Sequence, residues 1–182
     1  NIGDNAILKS ILRCHQNHKF LVFSANPTKT YSELNVKSIP VFPLGIRSFF
    51  KNGFRTSLKS LKKVDAVIFG GGGLMQDDQP YACFLWAWQI FWVKRLNIPY
   101  YIYATGVGPL RTRLGRWLTH YVYKDAVGVT VRDQLSFNTL KSLGLPTDNI
   151  EITADPAFLL HHAEAEIEAR QPHTYLISLR PW

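Results

Sequence analysis

Apolar and polar positions along this chain switch repeatedly between two periods. Short continuous apolar runs read as buried strands: KFLVFSA (19–25), IPVFPL (39–44), DAVIFG (65–70), IPYYIYA (98–104), AVGVTV (126–131) and the start of IEITADPAFLL (150–160). Between them lie stretches with helical spacing. NIGDNAILKSILRCHQ (1–16) sets Ala6, Ile7, Ile11 and Leu12 on one face, with Asp4 placed as an N-cap. Residues 46–64 form a basic amphipathic helix, with Ile46, Phe50, Phe54, Leu58 and Leu61 as its stripe and Arg47, Lys51, Arg55, Lys59 and Lys62 alongside. Three further helices are expected around YACFLWAWQIFWVKRL, RLGRWLTHYVYK and RDQLSFNTLKSLG, the last ended by Gly144. Strands alternating with helices predict an α/β fold with a mostly parallel sheet and helices on both faces.

The residues that break this rhythm carry the candidate chemistry. FGGGGLMQD (69–77), TGVGPL (105–110), Arg132–Asp133 and Asp155–Pro156 each come just after an apolar run. In a parallel sheet those strand ends share one edge, where open α/β proteins bind ligands. In the glycine run, Gly70, Gly71, Gly72 and Gly73 either let backbone N–H groups approach a ligand or make a tight strand-to-helix turn. No Gly-Lys-Ser/Thr follows, so this is not a phosphate-cradling P-loop. Gln76 and Asp77 sit directly behind it. Gly3 and Asp4 form either a helix cap or, if a strand precedes them, a first strand-to-helix loop. Gly106 and Gly108 permit unusual dihedrals in a turn whose Pro109 starts a helix. Asp133 reads as an N-cap, while Arg132 is free to meet an anion or pair with an acid. Asp155 and Pro156 read as structural. Arg180, in SLRPW after a further strand pattern, has the planar fork that grips carboxylate or phosphate.

Composition narrows the classes. With 182 residues and 46% hydrophobic content, the chain suffices for one globular domain, or one plus the start of another. The net charge of +8 and pI near 9.6 point to anionic partners without choosing among them. No DNA- or RNA-reading motif is present, so nucleic acid is disfavoured. The helices at 46–64 and 111–124 read as ordinary amphipathic helices, with peripheral contact to an anionic membrane as the alternative. Cys14 and Cys83 lie in apolar segments and read as buried free thiols of a reducing compartment. The apolar run 81–93 is interrupted by Gln89 and is shorter than the roughly 20 residues a bilayer span needs. A cytoplasmic protein, at most peripheral to the inner face of the membrane, is the expectation. No HExxH or Cys/His spacing supports a metal, and there is no GxSxG elbow.

The ordered set NIGD, DAVIFGGGGLMQD, YATGVGPL, VTVRDQLSFNTLKSLG and IEITADPAFLL, ending in ISLRPW, resembles the polysaccharide pyruvyl transferase family over nearly the whole chain. The resemblance implies a Rossmann-like sheet forming the N-terminal half of a GT-B-like two-domain enzyme. On that reading, residues 1–160 are the first domain without its first strand. Residues 161–173 are a linker, and 174–182 begin a second domain. The implied activity moves a pyruvyl group from phosphoenolpyruvate to sugar hydroxyls of a cell-wall or exopolysaccharide unit as a ketal, often on a lipid-linked acceptor. No cofactor is implied; phosphoenolpyruvate is the donor substrate. Arg180 is the one donor-binding residue the resemblance carries over. The N-terminal loops, Asp4 and the glycines included, would face the acceptor. Two departures bear on acceptor identity: QDDQPYACF lacks the Ser/Thr-rich character of relatives, and Thr105 stands where glutamine is frequent. A sugar-nucleotide glycosyltransferase of GT-B shape and a non-catalytic membrane-surface module are the alternatives.

Overall fold

The computed structural model describes residues 2–42, 52–78 and 81–159. In chain order these are α1 (Ile2–Cys14), β1 (Val22–Ser24), α2 (Pro27–Leu34), β2 (Ser38–Pro40), α3 (Asn52–Leu61), β3 (Val67–Gly70) and β4 (Gly73–Met75). There follow α4 (Ala82–Arg95), β5 (Tyr100–Val107), α5 (Arg113–Tyr123), β6 (Gly128–Val131), α6 (Gln134–Ser142), β7 (Ile150–Ile152) and a 3-10 turn at Pro156–Leu159. Strands β3 to β7 form one five-stranded parallel sheet, and β1 pairs with β2 as a separate parallel ribbon. The α/β expectation is borne out.

The sheet sorts its side chains by parity. Val67, Tyr100, Ile102, Val129, Val131 and Ile150 turn to one face, where they join Ile90, Val93, Leu118, Val122 and Leu140 of the covering helices α4, α5 and α6 in the main core. On the opposite face α1 meets the C-terminal end of β3, with Ile7 against Gly71 and Ile11 against Gly70, while Ile68 and Tyr101 of that face stay exposed. The earlier helix residue touches the later strand residue, so α1 runs antiparallel to β3. Its N-terminal end therefore points toward the C-terminal edge of the strands, where it meets the 3-10 turn.

A buried carboxamide ties the small ribbon to this core. Gln89, which breaks the apolar run of α4, accepts from the Phe42 N–H (3.2 Å) and donates to the Phe42 carbonyl (3.0 Å). It thus satisfies two backbone groups just beyond β2 that the ribbon leaves unpaired. Phe42 also stacks on Trp92, and Phe54 of α3 meets both rings edge-on.

Several expectations need correction. The apolar pattern predicts no helix between the first two apolar runs, where α2 lies. Asn26 caps it by accepting from the Lys29 N–H (3.1 Å), Pro27 opens it, and Asn35 ends it in the left-handed region. Asp4 is not an N-cap, because α1 already begins at Ile2. Helix α5 starts at Arg113 behind its cap Thr112, not at Pro109. Cys14 is exposed; only Cys83 is buried. Of the basic helix expected at 46–64, the described part is Asn52–Leu61, with Phe54 and Leu61 buried and Arg55 and Lys59 exposed as the pattern predicts. The caps of α6 agree with the sequence: Asp133 accepts from Ser136 N–H (2.7 Å), and Gly144 follows the helix with φ of 76°.

Candidate functional site

The four glycines do not form a strand-to-helix loop. Gly70 closes β3, Gly73 opens β4, and only Gly71 and Gly72 depart from strand geometry, with φ of 71° and 68°. Both β3 and β4 pair in parallel with β5, in succession, while β6 pairs with β5 from the other side. They are two halves of one strand with a two-residue jog. Across the jog the ladder is kept by Gly71 N–H donating to Tyr103 (2.9 Å) and Gly106 N–H donating to Gly72 (2.8 Å).

Strand β5 answers with a jog of its own. Ala104 is fully buried with φ of 50°, and the register to β6 slips between Ile102 and Thr105. The Thr130 hydroxyl takes up the Ala104 N–H at 2.7 Å. A left-handed non-glycine residue inside a central strand is held there only by its surroundings. Here the paired jogs redirect the last residues of both strands. Consequently Thr105 and Gly106 belong to β5, not to a turn as the sequence suggested; the turn begins at Gly108, with φ of 96°. Thr105 is fully buried, its hydroxyl 2.9 Å from that of Tyr123, whose ionisation burial suppresses.

Beyond the jogs, Gly73 and Gly106 stand opposite each other in register, on the face away from buried Met75 and Val107. A polar side chain covers each. The Gln76 carboxamide folds back over Gly73, so close that an added Cβ would lie 2.3 Å from its nitrogen. The Arg132 guanidinium lies over Gly106, 2.7 Å from where a Cβ would sit. Any larger residue at either position would lift its cover off the strand. Arg132 then reaches Asp133 (Nε to Oδ2, 3.5 Å) and Asp155 (Nη1 to Oδ2, 3.6 Å). The other oxygen of Asp155 accepts from the Ala157 N–H (2.9 Å), fixing the turn after β7.

A continuous polar row results: carboxamide, paired glycines, guanidinium, two carboxylates. It runs along the C-terminal edge of the sheet on the same face as α1. The Arg132 side chain remains one-third exposed. Burial of Asp133 works against its charge. The Ser136 donors and the Arg132 guanidinium outweigh that and hold its carboxyl below the ordinary value.

Asp77 behaves differently from the rest of the row. Its carboxylate accepts from the Arg111 N–H (2.8 Å), the Thr112 N–H (2.5 Å) and the Thr112 hydroxyl (2.8 Å), sitting at the N-terminus of α5. Burial raises its proton affinity, but these donors and the Arg111 charge prevail and keep it ionised to lower pH. It acts as a clasp between the glycine strand and α5.

The structure therefore brings together Gly73, Gln76, Gly106 and Arg132 from the sequence candidates. Gly70 and Gly71 receive α1, and Gly108 turns the chain. Asp4 lies in the first turn of α1, at the end directed past the strands. Arg180 lies outside the described residues. The sequence reading missed Asp155 as a partner of Arg132; its position after an apolar run was the available signal.

The sequence model of the polysaccharide pyruvyl transferase family matches residues 1–180. Among solved structures, the chain is similar to a functional uncharacterized protein from Klebsiella pneumoniae subsp. pneumoniae NTUH-K2044. The two share 19% identity over 86% of this chain and 56% of that protein, with a TM-score of 0.41. This chain thus spans little more than half the length of that protein.

Proposed function

The chain belongs to the polysaccharide pyruvyl transferase family, and from that premise we propose that it carries the acceptor side of a pyruvyl transferase. The donor is phosphoenolpyruvate, and the acceptor is a sugar of a cell-wall or exopolysaccharide unit carried on a lipid. Protonation of the donor's methylene carbon makes C2 electrophilic. A sugar hydroxyl adds there and loses its proton, phosphate departs with the C2–O bond, and a second hydroxyl closes the ketal. Two domains with a cleft between them, the second beginning near residue 174, complete the reading.

The observation that carries it is the charge balance of the polar row. Arg132 is already shared by Asp133 and Asp155. A donor bearing both carboxylate and phosphate would meet two carboxylates for one guanidinium there. Neutral hydroxyl groups suit it better: Gln76 both donates and accepts, the carboxylates accept, and Arg132 donates. The glycines beneath let these side chains lie flat on the strand ends, so a sugar would meet the carboxamide and guanidinium rather than the backbone. Donor binding is assigned to arginines outside this row, with Arg180 the candidate within the chain.

The test incubates the full-length protein with phosphoenolpyruvate and lipid-linked disaccharides, following phosphate release and a pyruvyl mass increment on the sugar. Turnover on a nucleotide sugar instead, with none on phosphoenolpyruvate, refutes the proposal in favour of glycosyl transfer. Arg180→Lys should weaken donor binding, because an ammonium cannot reproduce the planar fork. Unchanged donor affinity removes Arg180 from the site.

A further inference from the structure

Helices α3, α4 and α5 contain no acidic residue in their sequences, NGFRTSLKSL, ACFLWAWQIFWVKR and RLGRWLTHYVY. They lie side by side. Trp92 and Lys94 are about 200° apart around α4 by helix geometry. The first meets Phe54 of α3 (5.0 Å between ring centroids), and the second lies 4.0 Å over the Tyr121 ring of α5.

The outward faces of α4 and α5 are aromatic where a water-exposed helix would be polar. On α4, Phe84 and Phe91 are exposed, and Phe91 stacks on half-buried Trp88 at 5.7 Å. On α5, Leu114 and Trp117 are each 62% exposed, with Tyr121 stacked against Trp117. Arg113 and Arg116 rise beside them, exposed and without an acidic partner among the described residues. These arginines stand in the first turns of α5, where the helix dipole disfavours cations. No acid among the described residues offsets that placement; an external anion would.

Apolar ring edges framed by unpaired cations match the boundary between headgroups and acyl chains of an anionic bilayer. No described helix is long and apolar enough to cross a membrane, so contact would be in the surface plane. We infer that the outer face of α4 and α5 docks on an anionic lipid surface, with Phe84, Phe91, Leu114 and Trp117 entering the interface and Arg113 and Arg116 on the headgroups. This rests on the lipid-linked acceptor reading and extends it, since docking would bring the enzyme to the surface that carries such a substrate. Its test involves neither substrate, so the two stand or fall separately.

The experiment is flotation of the full chain with vesicles of phosphatidylcholine alone or of an equal mixture with phosphatidylglycerol. Binding should require the anionic lipid and weaken as salt is raised. Arg113→Gln with Arg116→Gln should lower partitioning about 30-fold, at roughly fivefold per cation. Trp117→Ser should lower it at least about tenfold. All three positions are exposed, and matching melting curves show the variants folded. Failure to float with anionic vesicles, or flotation unchanged in the arginine variant, overturns the inference. A concentration-dependent dimer abolished by Trp117→Ser, without vesicle binding, also overturns it and assigns the face to a second copy of the chain.

Discussion

Replacing Gly71 by alanine tests what the glycine run is for, and Gly70→Ala is its built-in control. At Gly71 the backbone has φ of 71°, and an added Cβ would fall 2.3 Å from Ile7 Cγ2 and 2.9 Å from its Cδ1. A left-handed backbone costs an L-residue roughly 1–2 kcal/mol. The clash adds about 1–3 kcal/mol, because Ile7 is β-branched within a helix and has essentially one χ1 rotamer to offer. The total, about 2–5 kcal/mol, is a large share of a typical domain's roughly 5–15 kcal/mol. At Gly70 φ is not positive, and the nearest atom is the flexible tip of Ile11, Cδ1, at 3.1 Å. That substitution should cost less than about 1 kcal/mol. Urea unfolding followed by circular dichroism measures both. With a slope near 2 kcal/mol/M, Gly71→Ala should lower the midpoint by about 1–2.5 M. Equal costs at the two positions would refute the packing account. So would a Gly71→Ala protein of parental stability that has lost acceptor binding, since that outcome makes Gly71 a ligand contact.

Other perturbations separate binding from stability. Gly106→Ala should displace the Arg132 guanidinium and loosen its hold on Asp155, raising the KM for acceptor while the melting temperature changes little; a large stability loss with unchanged KM contradicts the row. Asp77→Ala removes a carboxylate that satisfies two backbone N–H groups and should cost about 1–2 kcal/mol by urea unfolding. Because the folded-state pKa of Asp77 lies below its unfolded value, its contribution is present above about pH 4 and disappears as pH falls through the folded value. The difference between parent and Asp77→Ala should therefore shrink in acid, and a difference that grows there reverses the sign of the argument. Ala104→Gly should be close to neutral despite full burial, since relief of the left-handed strain offsets the lost methyl contact. A loss above roughly 2 kcal/mol excludes that strain as the controlling factor.

Elements whose causes are local were legible in the sequence. The apolar runs of β3, β5 and β6 became parallel strands, and Asp133 and Gly144 bound α6 as their residue types imply. Helix α2 escaped because it is eight residues long with none fully buried, and only its Asn-Pro start announced it. The role of the glycine run is illegible for a different reason. Alanine fails at Gly71 because of Ile7, some sixty residues earlier, and at Gly73 because of a side chain that folds back over it. Nothing in FGGGGLMQD identifies the packing partner. The pairing of Gly73 with Gly106 depends on two coupled jogs, one at glycines and one at Ala104, a residue type with no preference for that backbone. Asp77 resembled a ligand group in sequence because its partners, Arg111 and Thr112, arrive from another loop.

The division of labour among the four glycines bears directly on the chemistry. Gly70 and Gly71 admit α1, which brings the helix end carrying Asp4 toward the strand edge. Gly72, with φ of 68°, completes the jog that aims β4 at a new line. Gly73, beside Gly106, leaves the strand surface bare enough for a carboxamide and a guanidinium to lie flat on it. A phosphate loop needs backbone N–H groups turned outward and unpaired. Here the Gly71 N–H is spent within the ladder on Tyr103, and the Gly72 carbonyl accepts from the Gly106 N–H. Gly71 therefore has no N–H to offer an anion. What the geometry shows is a bare strand surface with the Gln76 and Arg132 side chains laid over it, and under the proposed function those side chains do the recognising. Acceptor choice should accordingly respond to Gln76 and Arg132. Gln76→Glu, which keeps the shape but removes two donors, should shift the ranking of sugar acceptors in a competition assay more than it changes the rate on the best one. An unchanged ranking would move recognition away from this row.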